Sequence, residues 1–208
     1  MELNMDQYWT QGYNVGQMSN DDHALLWSML HQESWLESVL PKQKVVSWSN
    51  NVKTKQRKDM HDQNKDEWPM HNKNIPLKYM DTVNDIWNRL FFNDYHKQTN
   101  KNCEIMYIDV WNGTPEHEWH NHAHEGIDAV FLMYLTDCGT WDYDWGGVLH
   151  IGNKIIETND VSVNGFILPN NKTCVVINNT NPKIVHSVTE QVYNANRYTI
   201  GTGIKIWN

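Results

Sequence analysis

The stretch Pro115-Glu116-His117-Glu118-Trp119-His120-Asn121-His122-Ala123-His124-Glu125-Gly126 holds four of the chain's eleven histidines within eight residues. An extended strand projects alternate side chains to one face, which would set His120, His122 and His124 on one side. Imidazole nitrogen is a common ligand of first-row transition metals. Two such neighbours can grip one ion, and a third ligand must then come from elsewhere in the chain. A lone surface histidine is usually solvated, but a dense alternating set that runs into an apolar segment reads as a site. His23, His31, His61, His71 and His96 fall in helical or polar segments and read as structural or solvated. His150 follows a Gly-Gly strand and stays unassigned.

The texture around this stretch is β. From Cys103 onward, short β-branched and aromatic segments alternate with turn signals: Ile105 to Trp111, Ala129 to Leu135, Val148 to Ile156, Phe166 to Leu168, Cys174 to Ile177, Lys183 to Thr189 and Arg197 to Ile206. Gly146-Gly147, Asn164-Gly165, Pro169-Asn170 and Asn179 to Pro182 separate them. About eight strands at this spacing predict a sandwich or jelly roll rather than a βαβ fold.

Upstream the texture is helical. Ser19 and Asp22 form a capping box, and Leu25, Leu26, Met29, Leu30, Leu36 and Val39 follow until Pro41 stops the run. Val45-Val46-Ser47-Trp48 suits an edge strand. Residues 50 to about 75 are polar, and the basic cluster Lys53, Lys55, Arg57, Lys58 reads as a solvated loop or a substrate-facing flap. A second helix is predicted from about Pro76 to Tyr95, with Met80, Val83, Trp87, Leu90 and Phe91 on one stripe that packs against a sheet. The expected class is mainly β (α+β). Residues 1–100 supply helices and a polar loop, and residues 101–208 form the β core, in one compact unit.

Charge and composition narrow the function. Formal net charge is -8, which argues against a general nucleic-acid binder. No apolar run approaches the ~18 residues of a membrane helix. The start of the chain lacks the apolar stretch of a secretory signal. Three cysteines without a CxxC pair suit a reducing, cytoplasmic setting.

A third metal ligand is available in His186, within the late strand Lys183-Ile184-Val185-His186-Ser187-Val188. Eleven residues later stands Arg197, at an interval that fits a strand, a turn and a return strand. A buried arginine offers a planar fork that holds a carboxylate through two hydrogen bonds. Thr199 shares its strand face. A metal with open positions beside a carboxylate clamp is the plan of an oxidase that binds a small keto acid.

In these residues the sequence resembles the iron(II)- and 2-oxoglutarate-dependent dioxygenases of the prolyl-hydroxylase-like type, over about Ile105 to Ile206. Tyr107 to Gly113 looks like the strand and turn before the first ligands. Trp119-His120-Asn121-His122 stands where that family has W-H-x-D. Met133-Tyr134-Leu135-Thr136, Trp145-Gly146-Gly147-Val148-Leu149 and Arg197-Tyr198-Thr199 match further family segments, in family order. The resemblance implies a double-stranded β-helix that holds Fe(II) with 2-oxoglutarate as cosubstrate. The distal carboxylate would lie on Arg197, helped by Thr199 and the Tyr134 hydroxyl. It also implies hydroxylation of a C–H bond in a peptide or small amino-acid-like substrate.

The departure from the family is at His122, where the facial triad of two histidines and one carboxylate has its acid. Three outcomes stand open. His120, His122 and His186 form a three-histidine site, which is the preferred reading; His122, His124 and His186 do so; or Glu125 or Asp128 completes the site through a bulge. The rival functions are a cupin-like metalloenzyme that does not use 2-oxoglutarate and a non-catalytic jelly-roll binding module.

Overall fold

The computed structural model describes residues 5–32, 44–48, 77–113 and 116–208. The basic loop at Lys53 to Lys58, the expected helix end at Leu36, Val39 and Pro41, and His61 and His71 lie outside them.

The longest apolar segment organises the rest. Strand β5 (Ala129–Thr136) is buried at all eight positions, as expected of a strand covered on both faces. Its odd-numbered residues Ala129, Phe131, Met133 and Leu135 join a core shared with the helices. Its even-numbered residues Val130, Leu132 and Tyr134 join a second core between two sheets. A sheet thus divides two hydrophobic layers.

That sheet has six antiparallel strands in the order β1-β8-β5-β10-β3-β2, built from β1 (Tyr13–Gln17), β2 (Lys44–Trp48), β3 (Asn102–Asn112), β5, β8 (Thr173–Asn178) and β10 (Arg197–Trp207). The second sheet is antiparallel, in the order β4-β9-β6-β7, from β4 (His117–His120), β6 (Leu149–Lys154), β7 (Val161–Ile167) and β9 (Ile184–Val188). Their inner faces meet through Tyr107, Leu132, Leu149, Ile151, Val175 and Ile184. This is the jelly-roll architecture expected from the strand spacing.

The helices cover the outer face of the larger sheet. They are α1 (Met5–Gln11), α2 (Asn20–Gln32), α3 (Leu77–Trp87) and α4 (Asn93–Thr99). Ser19 caps α2, its Oγ accepting from the Asp22 backbone N–H at 3.0 Å. Leu26 and Leu30 are buried, but Leu25, expected on the same face, is 48% exposed. Val83, Trp87 and Phe91 are buried against β5, with Phe131 ring centroids 4.4 Å from Trp87 and 5.0 Å from Phe91.

The helix does not stop at Tyr95. A π-helical turn (Asn88–Phe92) carries α3 into α4, which ends at Asn100 in the left-handed region. The extra residue per turn brings Phe92 and Tyr95 into the core as well. Tyr13–Gln17 was not expected as a strand. Its sequence, YNVGQ, is polar and contains glycine, and it pairs only with β8 at the sheet edge. The first hundred residues therefore supply two edge strands besides the helices.

Candidate metal centre and carboxylate clamp

β4 runs beside β9, and the register sets His120 directly opposite His186. Residues facing each other across a ladder share a sheet face. His186 is buried in the inner layer between Ile184 and Val188 on alternate positions of β9. The two rings lie with centroids 4.2 Å apart.

His122 reaches the same point by a different route from the one the alternation suggested. The strand ends at His120, and Asn121 makes a turn. Its side-chain amide donates to the Ile184 carbonyl at 2.7 Å, and its Oδ1 accepts from the Ala123 N–H at 2.6 Å. A 3-10 turn follows (Ala123–Glu125). The turn brings the His122 ring to 4.8 Å from His120 and 5.3 Å from His186. One ring nitrogen from each of the three histidines lies within 4.8 Å of the others.

The alternatives are placed elsewhere. His124 is 66% exposed, and its Nδ1 donates to the Asn121 carbonyl at 3.0 Å. The Asp128 carboxylate accepts from the Ile206 N–H at 2.8 Å and pairs with Lys205 at 3.0 Å. Glu125 accepts from His122 Nδ1 at 2.9 Å. Among the described residues the only group of three or more histidines, cysteines or acids close enough to share an ion is His120, His122 and His186.

The protonation chemistry fits metal ligands. A carbonyl or carboxylate oxygen can only accept, so His120 Nδ1 donates to the Glu118 carbonyl at 2.7 Å and His122 Nδ1 donates to Glu125. That leaves Nε2 of each as the free lone pair. His186 Nδ1 is buried and has no hydrogen-bond partner within the protein. Burial, then repulsion from His120 and His122, drives the His186 imidazole well below its ordinary range. His120 is lowered by burial and by His122. Neutral imidazoles are the metal-binding form.

The residues expected to clamp a carboxylate sit on the larger sheet. Thr199 of β10 lies opposite Tyr134 of β5, and Arg197 opposite Thr136. Arg197 and Thr199, two apart on one strand, face the inner layer with Tyr134. Arg197 is 1% exposed, with its guanidinium carbon 5.0 Å from the Tyr134 ring centroid. Burial lowers the arginine from its ordinary value, an effect opposed by Tyr134, and the group keeps its charge at neutral pH. Thr199 Oγ1 is buried without a hydrogen-bond partner in the protein. A buried cation beside an unused hydroxyl fits a carboxylate.

Gly147 makes room for the cation. It has φ +66°, and a Cβ there would stand 3.0 Å from Arg197 Nε. The Gly146-Gly147 pair is pinned by the Trp141 indole, which donates to the Gly146 carbonyl at 2.8 Å, and by the Gly147 N–H donating to Thr189 at 3.0 Å.

One further histidine stands beside the cluster, His117, with its ring centroid 5.9 Å from that of His120. Burial pushes the His117 imidazole down to about 4, helped by the charges of His120, His122 and Arg197. The sequence held its signal, the first histidine of the cluster, but the alternation argument passed over it.

No protein-family model and no curated protein matches the sequence. Solved structures do match. An oxidoreductase of the 2OG-Fe(II) oxygenase family from Burkholderia pseudomallei aligns over 96% of this chain and 87% of its own, at 12% identity and a TM-score of 0.54. The non-heme α-ketoglutarate-dependent carbocyclase SnoK of nogalamycin biosynthesis aligns over 96% and 82%, at 8% identity and 0.57. A prolyl hydroxylase from Trichoplax adhaerens, in complex with a peptide fragment of a hypoxia-inducible factor, aligns over 95% and 86%, at 12% identity and 0.50. The chain therefore has the fold of the 2-oxoglutarate- and iron-dependent oxygenases.

Proposed function

We propose that the protein is an iron(II)- and 2-oxoglutarate-dependent oxygenase that hydroxylates a C–H bond of a peptide or small amino-acid-like substrate. The observation that carries the reading is the convergence of His120, His122 and His186 in a jelly roll whose facing sheet holds the buried Arg197. The three histidines would hold the iron, with Nε2 of His120 and His122 turned to it. Arg197 would take the distal carboxylate of 2-oxoglutarate, with Thr199 donating a hydroxyl hydrogen bond and Tyr134 closing the side of the pocket. Bound iron and 2-oxoglutarate together supply the oxidising power for hydroxylation by dioxygen. The inner apolar layer of Leu132, Leu149 and Ile151 keeps bulk water from the reacting centre. Three free cysteines, one of them buried, suit a reducing cytoplasmic compartment.

The test is an anaerobic titration of the Fe(II)-loaded protein with 2-oxoglutarate, followed by the metal-to-ligand absorption band. The expected outcome is one iron per chain and a saturable band. A decarboxylation screen with peptides and amino acids then identifies the substrate. A protein that takes iron but shows neither band nor decarboxylation is not a 2-oxoglutarate enzyme.

A further inference from the structure

Among the described residues, Glu125 is a carboxylate paired with a histidine of the cluster, and it has no assigned task. It closes the 3-10 turn after His122, is 17% exposed at its side chain, and accepts from His122 Nδ1 at 2.9 Å. Its other histidine neighbour, His124 Nε2, is 3.8 Å away and exposed, too distant for a hydrogen bond. The partners of the two β4-side rings thus differ in charge. His120 donates to a neutral carbonyl, and His122 donates to an anion.

Charge gives this difference a purpose. Three neutral imidazoles leave a divalent ion with both its positive charges. The two carboxylates of 2-oxoglutarate offset those, and Arg197 leaves one positive charge over in a buried space. Glu125 is an acid that reaches one of the ligand imidazoles.

We propose that Glu125 is a positioning residue for the metal centre: through its hydrogen bond to His122 it supplies, one imidazole removed, the negative charge that the ligand set itself lacks. The proposal rests on the iron reading of the same site. A carboxylate behind a ligating imidazole fixes the ring's orientation and makes its free nitrogen a stronger donor. The ion would feel a charged ligand while contacting a neutral one.

The experiment compares Glu125→Gln, Glu125→Ala, His122→Asp and His122→Asp/Glu125→Gln, each checked for wild-type circular dichroism. The readouts are Fe(II) affinity by anaerobic chelator competition and the Fe(III)/Fe(II) potential. Glu125→Gln keeps an acceptor oxygen and the shape, so it isolates the charge. It should weaken Fe(II) binding about 10–100-fold and raise the potential, since removing an anion disfavours Fe(III). Glu125→Ala should lose at least as much. The effect should shrink on the second background. The carboxylate introduced by His122→Asp cannot donate to Glu125 and already puts a negative charge on the ligand set, so adding Glu125→Gln there should change iron affinity much less than it does in the wild type. Wild-type affinity and potential in Glu125→Gln, or an equal loss on both backgrounds, overturn the proposal and leave the iron reading standing. A wild-type protein that takes no stoichiometric iron overturns both.

Discussion

Along β5 and β10, neighbouring residues one position apart face two different worlds. Phe131, Met133, Leu135 and Ile200 look out to the helices and join an apolar and aromatic cluster there. Tyr134, Arg197 and Thr199, on the same strands, look in toward the second sheet, where the three histidines gather. The outer face holds the sheet to its helices, and the inner face holds polar groups that burial alone would disfavour. A period of two residues lets one strand do both jobs, because the two sets of side chains never compete for space.

The sharpest way to test this division is to remove one group from each face and watch which property fails. His186→Ala should abolish stoichiometric Fe(II) binding while the protein stays folded; iron analysis and thermal melting report the two separately. A variant that retains one tightly bound iron per chain shows that the site lies elsewhere. Trp87→Ala strikes the other face. With the ring fully buried on Phe131, it should cost roughly 3–5 kcal/mol of stability, read by urea unfolding, and the folded fraction should still bind iron. A loss below about 1 kcal/mol would deny the helix its packing role.

Arg197→Ala comes next. It leaves a desolvated carboxylate without its charged partner, and 2-oxoglutarate binding should weaken by roughly 2–5 kcal/mol, or about 30- to several-thousand-fold. Arg197→Lys should lose less, since a charge remains without the fork. Fe(II) affinity should hardly move in either. Titrations that match wild type would remove the clamp from the pocket.

The smallest effect is a slope with pH, and its two limbs belong to the two faces. On the inner face, His117, His120 and His186 are lowered from 6.5, His117 to about 4. Above pH 6.5 they are neutral folded or unfolded and contribute nothing. Below it the unfolded chain takes up protons that the folded chain resists, so the metal-free protein should lose stability from pH 6.5 down to about 4. On the outer face, burial raises Cys103 and Cys174 from 9.0, and Tyr95 from 10.0, all to about 12. There the unfolded chain loses protons first, and stability should fall between pH 9 and about 12. Melting temperatures with a chelator present trace both limbs, and His186→Ala should flatten only the acid one. An unchanged acid limb in that variant would contradict the assignment.

These two faces were not equally legible. The outer one is written in apolar period: Val83, Trp87 and Phe91 announced a stripe, and Ala129 to Leu135 announced a strand, though not that both its faces are covered. The π turn was not legible, because its single extra residue shifts Phe92 and Tyr95 into the core without changing the residue types. β1 was hidden by its polar composition, since an edge strand of YNVGQ gains its place from pairing with β8 rather than from its own pattern. At the site, His120, His186 and Arg197 could be placed on strands because strand geometry is local. His122 could not. It joins them through the Asn121 turn, whose two side-chain hydrogen bonds reach Ile184, sixty-three positions away, and Ala123. Glu125 was weighed only as a ligand, and no spacing rule reveals that its carboxylate stands behind an imidazole.

The cross-strand pairing of His120 with His186 has a mechanical side. β4 is four residues long, lies at the edge of its sheet and is tied to β9 with an irregular register between His117 and His120. Such a strand frays easily by itself. An ion grasped by both histidines would rivet that edge to the strand beside it, and His122 would fasten the following turn to the same rivet. Amide hydrogens of residues 117–125 should then exchange more slowly once metal is added, while those of β7, at the opposite edge, keep their pace. The centre would thus act as a clasp for that edge of the smaller sheet as well as a place for chemistry.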